Sequence, residues 1–192
     1  ILKLNNKGEM FIVSPSGFTS VIRKIDESNI MRKVLGTVDK NYLKSISRSK
    51  YKGRVQTGEL AIITTFSDIA FDQKGNMFIS DRLNHQIRKV SASGEISTIA
   101  GTGESAHYGD GGPASEAAFR DPSSLATDKE GNLYIADGAN NMIRKIDTKG
   151  IVTTIAGNGN HKNTGDGGPA LKAGIRNMDY LAVSPSGEVH IV

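Results

Sequence analysis

Three residue types in this chain could do chemistry: arginine and aspartate, which recur at fixed spacings, and histidine, which does not. Arginine comes in the triplet Ile-Arg-Lys, at Ile22-Arg23-Lys24, Ile87-Arg88-Lys89 and Ile143-Arg144-Lys145. Regularly spaced cations are what a phosphate backbone recruits. Each triplet, however, sits within an apolar run that reads as a strand, so the arginine is expected to meet a carboxylate of its own sheet. Asp81 and Asp137 recur in step with Arg88 and Arg144, and a planar guanidinium suits such a pair better than lysine does.

Aspartate recurs in two Gly-Asp-Gly-Gly loops, Gly109–Gly112 and Gly165–Gly168. A phosphate cradle wants a lysine or a helix N-terminus, and a central aspartate opposes an anion. Calcium takes about six to eight oxygen ligands, whereas each loop brings a single carboxylate. Asp110 and Asp166 are therefore weak cation candidates, and Ca²⁺ is the one cofactor left open. Their expected role is to cap their own turns by accepting backbone N–H groups. The histidines His85, His107, His161 and His190 do not repeat. A catalytic metal would need ligands converging from several repeats. The pattern carries no such convergence, so it assigns neither a metal site nor a catalytic residue.

These residues are positioned by a repeat. Ile69–Ala114 returns without a gap 56 residues later as Leu125–Ala170, with 22 of 46 positions identical. A period in this range marks a repeat architecture. A third copy begins at Leu181 and runs to Val192. A divergent copy opens the chain, where Lys7-Gly8-Glu9-Met10-Phe11-Ile12 answers Lys74-Gly75-Asn76-Met77-Phe78-Ile79. The chain thus holds about three and a half units. In the clearest unit, four strands are expected at Ser123–Asp128, Leu133–Asp137, Met142–Asp147 and Ile151–Ala156, separated by Gly-, Asn- and Asp-rich turns. Four-stranded meanders repeated at this length mean an all-β propeller. The expected blades are 1–36, 60–101 and 123–157, with a partial fourth at 179–192. His190 falls at the core aromatic position that Phe78 and Tyr134 hold. The long loop after the fourth strand is expected to pack on the propeller, with one helical turn near Leu171–Ile175.

The strings Gly-Asn-(Leu/Met)-(Tyr/Phe)-Ile-x-Asp, Asn-x-x-Ile-Arg-Lys and Thr-Ile-Ala-Gly-x-Gly, followed by Gly-Asp-Gly-Gly-Pro-Ala, resemble the NHL repeat in its long, Gly-rich variety. The resemblance is strong in Ile69–Ala170, weaker in Ile1–Gly36 and lost in Thr37–Phe66. It implies a β-propeller. It leaves function open, since NHL propellers serve as protein-binding, RNA-binding, sensor and, more rarely, enzymatic domains.

Propellers close with about four to eight blades, so 192 residues read as one propeller segment of a longer protein. A missing stretch of chain, or less readily a second copy, would supply the remaining blades. There is no cysteine, hence no disulfide framework, and no apolar run long enough for a membrane span. Residues 1–60 carry twelve Lys or Arg against five acids, and residues 61–192 twelve against fifteen. The excess concentrates in Arg32–Arg54, most of it in a basic loop insertion at 37–59 that includes Lys44, Arg48, Lys50, Lys52 and Arg54. It reads as a solvated loop, with contact to an acidic protein or to RNA as the sharper alternative.

A repeated residue serves every repeat, so function is expected where repeats differ. The connections between second and third strands and the Gly-Asp-Gly-Gly loops are expected to share one rim. Arg82, His85, Tyr108, Asn140 and Asn141 are the expected partner contacts. The functional expectation is a non-catalytic scaffold that binds a protein. The alternatives are part of a metal-dependent propeller lyase or lactonase, and RNA or polyanion binding through the basic loop.

Overall fold

The computed structural model describes residues 1–16, 19–25, 30–35, 56–57 and 66–192. They form antiparallel sheets in which, the short strand Gln56–Thr57 apart, chain neighbours are spatial neighbours. The first blade contains β1 (Leu2–Leu4), β2 (Met10–Ser16), β3 (Thr19–Ile25) and β4 (Met31–Leu35). A short strand, β5 (Gln56–Thr57), precedes the second blade of β6 (Phe66–Phe71), β7 (Met77–Asp81), β8 (Gln86–Val90) and β9 (Glu95–Ala100). The third blade is β10 (Pro122–Thr127), β11 (Leu133–Asp137), β12 (Met142–Ile146) and β13 (Val152–Ala156). A fourth begins with the paired strands β14 (Leu181–Val183) and β15 (Val189–Ile191). This is a partial β-propeller.

The turns show why these residues fold this way. Asp128 Oδ1 accepts the Asn132 N–H at 2.8 Å, and Oδ2 accepts the Asn132 amide at 2.6 Å. The connection from first to second strand is thereby closed on its own side chains. Asp72 and Asn76 repeat the device one blade earlier. Burial works against the Asp128 carboxylate, but Asn132 and the Tyr134 hydroxyl hold it below its ordinary pKa.

The core lies between blades. Phe11, Val13, Ile22, Ile69, Met77 and Ile79 join the first two blades. Phe78, Ile87, Phe119, Leu125, Ile135 and Val152 join the second and third. Ile79 and Phe78 are adjacent yet serve different cores, because successive strand residues point to opposite faces. All of β7 and β11 is buried, so both strands read as apolar runs. First strands of neighbouring blades pack side by side, β6 on β10 and β10 on β14, which places them nearest the propeller axis.

In each complete blade the register shifts at the Ile–Arg step, between Ile22 and Arg23, Ile87 and Arg88, and Ile143 and Arg144. A bulge of this kind bends the strand and re-aims a side chain. His190 departs from its expected place. It is exposed, since β15 has no third strand beside it among the described residues. The expected turn near Leu171 is a 3-10 turn at Ala170–Lys172, with Pro169 at its N-terminal boundary. The basic residues Lys44, Arg48, Lys50, Lys52 and Arg54 lie outside the described residues. Gln56 and Thr57, counted with that insertion in the sequence, instead pair with Ile96 and Glu95 on the outer edge of β9.

Candidate functional site

Arg88 and Arg144, two of the repeated arginines, are held in ion pairs within the fold. Arg144 is completely buried and donates from Nε (3.0 Å) and Nη2 (2.7 Å) to Asp110 Oδ1. It also reaches the carbonyls of Ala118 and Tyr108 at 3.3 Å each, and its Nη1 lies 3.5 Å from Asp137 Oδ2. The guanidinium covers the Phe119 ring, 5.2 Å from its centroid. Arg88 follows the sequence expectation more closely, with Nε 2.9 Å from Asp81 Oδ2 and Nη1 on the Thr98 hydroxyl.

Asp110 thus departs from its expected role in its own turn. It does not cap its own turn: Oδ2 accepts the Thr154 N–H at 3.0 Å in the next blade. The cation it holds is a guanidinium. Burial opposes ionisation, but Thr154 and Arg144 together hold the carboxyl below the ordinary range. The neighbouring His107 is pushed down by burial and by Arg144, which favours its neutral form. Nor does the Gly109–Gly112 loop sit on the rim. Gly111 N–H donates to the Val152 carbonyl (2.8 Å), Val152 N–H to Gly112 (3.0 Å) and Ala114 N–H to Gly150 (2.8 Å). The loop therefore lies along the outer edge of β13, because an edge strand presents N–H and C=O groups that need partners. Asp166, in the later copy, is exposed.

Among the expected contact residues, the structure brings Arg82 and His85 together around Asp121. Arg82 Nη2 is 3.6 Å from Asp121 Oδ2, and His85 Nδ1 accepts the Asp121 N–H at 3.2 Å. Arg82 and its neighbour Leu83 are exposed. Tyr108 is exposed as well, its hydroxyl donating to Glu104 Oε2 at 2.8 Å. Asn140 and Asn141 are held from within the fold. Asn140 Nδ2 bonds Asp137 Oδ2 (2.8 Å) and the Ala106 carbonyl (3.0 Å). Asn141 is buried, donating to the Gly159 carbonyl and to His161 Nδ1. Polar loop residues look free in a sequence, yet here buried acceptors need their amides.

A row of polar residues near the axis was not anticipated. Asp68 on β6 is buried, and its Oδ2 accepts Lys3 Nζ (2.9 Å), the Ser124 hydroxyl (2.8 Å) and the Leu125 N–H (3.1 Å). Ser124 in turn accepts the Leu181 N–H at 3.1 Å, and Lys3 Nζ lies 5.8 Å from the Tyr180 ring centroid. Asp68, Ser124 and Tyr180 stand at one repeat position with three chemistries, a difference that inspection at the 56-residue period makes visible. Among the described residues, no three His, Asp or Glu side chains form a metal-holding group, and no helix is long and apolar enough to cross a membrane.

The profile of the Teneurin NHL domain matches residues 102–165. Teneurin-1 of Gallus gallus is 37% identical over 95 residues, which is 43% of this chain and 3% of that protein. A structural genomics protein of unknown function from Bacteroides thetaiotaomicron superposes with a TM-score of 0.59 at 18% identity. That match covers 97% of this chain and 54% of the other. A catalytically inactive virginiamycin B lyase from Staphylococcus aureus gives 0.50 at 12% identity, covering 99% and 53%. At these identities the structural likeness speaks for the fold alone, while the sequence match speaks for the repeat. With Asp110 and Arg144 both in strings that resemble the NHL repeat, and with four-stranded blades at its period, the chain is a partial β-propeller whose residues 102–165 fit the NHL-repeat family.

Proposed function

We propose that this segment is a non-catalytic propeller scaffold that binds a protein partner through the end of the blades where second and third strands connect. The observation that carries the reading is a division of labour. The repeated charged groups Asp81, Arg88, Asp110, Asp137 and Arg144 face one another within and between blades. The residues that change from blade to blade stand outward: Arg82 and Leu83 of the second blade replace Gly138 and Ala139 of the third. An exposed cation beside an exposed leucine, on a turn locked by His85 and Asp121, is chemistry suited to a protein surface. Loops fixed on a rigid scaffold are where binding tends to sit.

Photo-crosslinking in the full-length parent, in its own cells, tests this. A crosslinking residue at Leu83 or Tyr108 should capture a discrete protein adduct, whereas one at Lys129, on a turn at the opposite end, should not. Equal capture at both ends, or none at Leu83 and Tyr108, overturns the proposal.

A further inference from the structure

The segment Gly165–Ala170 is the third copy of an element that is seated on a neighbour in both earlier copies. In the second copy, Gly111, Gly112 and Ala114 hydrogen-bond along the outer edge of β13, with Pro113 opposite Ile151. In the first, Gln56 and Thr57 stand 56 residues before Gly112 and Pro113. They pair with Ile96 and Glu95, the equivalents of Val152 and Ile151. The element therefore adds a strand to the blade that it leads into, although little of its sequence is shared between those two copies. The third copy leads into the blade begun by β14 and β15. Residues 161–172 are exposed throughout, including Ala170, whereas its counterpart Ala114 is buried.

We propose that Gly165–Ala170 is an edge-pairing arm, and that its occupant is the third and fourth strands completing the blade of β14 and β15 in the full-length protein. Two complementary features define that occupant. The backbone of Gly167, Gly168 and Ala170 takes the outer strand by main-chain pairing. Asp166 takes an arginine from the middle of the third strand, as Asp110 takes Arg144. The order of events is set by the chain: the arm precedes the blade it covers, so each blade carries a ready-made cap for the next edge strand. This protects an outer strand that would otherwise template pairing with other chains.

Amide hydrogen exchange on the full-length parent reads this directly. Gly167 and Ala170 should exchange as slowly as Gly111 and Ala114, with protection at least about tenfold above an open loop. Asp166→Asn should speed exchange at Gly167 and Ala170 and leave Gly111 and Ala114 unchanged. A second reading comes from cysteine pairs. Pro113→Cys with Ile151→Cys is the control. The test pair joins Pro169→Cys to a cysteine at the fourth-blade residue that stands where Ile151 stands in the third. Crosslinking of both pairs supports the arm. Crosslinking of the control alone, or exchange at Gly167 and Ala170 at open-loop rates beside protected Gly111 and Ala114, overturns it.

Discussion

Asp110 and Arg144 lie 34 residues apart in sequence, and the carboxylate of one loop takes two nitrogens of a guanidinium completely buried in the following blade. The pair is a clamp between repeats. Asp137, itself buried, sits on the other side of the same guanidinium, so removing the arginine strands a carboxylate in the core. Arg144→Ala is expected to cost about 3–5 kcal/mol. Arg144→Lys is expected to fail as well, since a point charge cannot reproduce the fork. Asp110→Asn should cost less, roughly 1–3 kcal/mol, because its carboxylate is partly solvated. Urea unfolding of the parent and of the double variant checks this. Strictly additive losses would show that the two side chains do not act as a clamp.

The pH dependence of stability should carry a signature of Asp137. Burial pushes its carboxyl up to about 6 from 3.8, against the pull of the Asn140 amide, the Arg120 N–H and Arg144. A carboxyl whose pKa is raised on folding binds its proton more tightly in the folded state. Its contribution is therefore greatest at low pH and declines as pH rises from about 4 to about 6, by up to about 3 kcal/mol. Asp81 is shifted in the same direction by burial. Asp110 and Asp128 are shifted down and oppose this trend. They contribute above the ordinary carboxylate range, and that contribution is lost as pH falls below about 4. Urea midpoints between pH 4 and 7 should fall with rising pH in the parent and flatten in Asp137→Asn. An unchanged slope in that variant would assign the dependence elsewhere.

The local pattern was legible because its causes are local. Strands buried on both faces read as Ile- and Val-rich runs, and Asp128 with Asn132 announces a turn within five residues. The pairing of Arg88 with Asp81 could be read from their joint recurrence. Asp110 could not be placed on Arg144 in this way. A period shows that both recur, but not that a loop of one blade docks on the next. Asn140 and Asn141 looked free because the carboxylate and carbonyl that hold them are brought close only by folding. Lys3 and Asp68 stand 65 residues apart across an irregular stretch of the repeat, so no spacing rule joined them.

Gly157 and Gly150 should respond differently to alanine. Both have positive φ, +93° and +83°. At Gly150 an added Cβ meets nothing within 4 Å, so the cost is the left-handed backbone alone, about 1–2 kcal/mol. At Gly157 the Cβ would fall on the Asn141 carbonyl oxygen and on Met142 Cα. Those backbone atoms belong to the turn that holds β12, and they cannot give way without moving it. Gly157→Ala is expected to cost about 3 kcal/mol or more. Thermal denaturation of the two variants side by side measures the difference. Equal losses would mean that the close approach of Gly157 to Asn141 does not constrain the fold.

Asp68 should be the residue near the axis on which most depends. Its Oδ2 joins the first blade through Lys3 and the third through Ser124 and Leu125, while Ser124 passes the chain on to Leu181. Removing the carboxylate leaves the Leu125 N–H and the Ser124 hydroxyl without their acceptor in a buried site. Each buried group so orphaned costs about 1–3 kcal/mol, so Asp68→Ala should lose roughly 2–6 kcal/mol. Lys3 is partly solvated, and water can replace its partner, so Lys3→Met should cost no more than about 1 kcal/mol. The asymmetry is the prediction. A lysine that mattered as much as the aspartate would mean that charge pairing, rather than the satisfaction of buried donors, holds the first strands together.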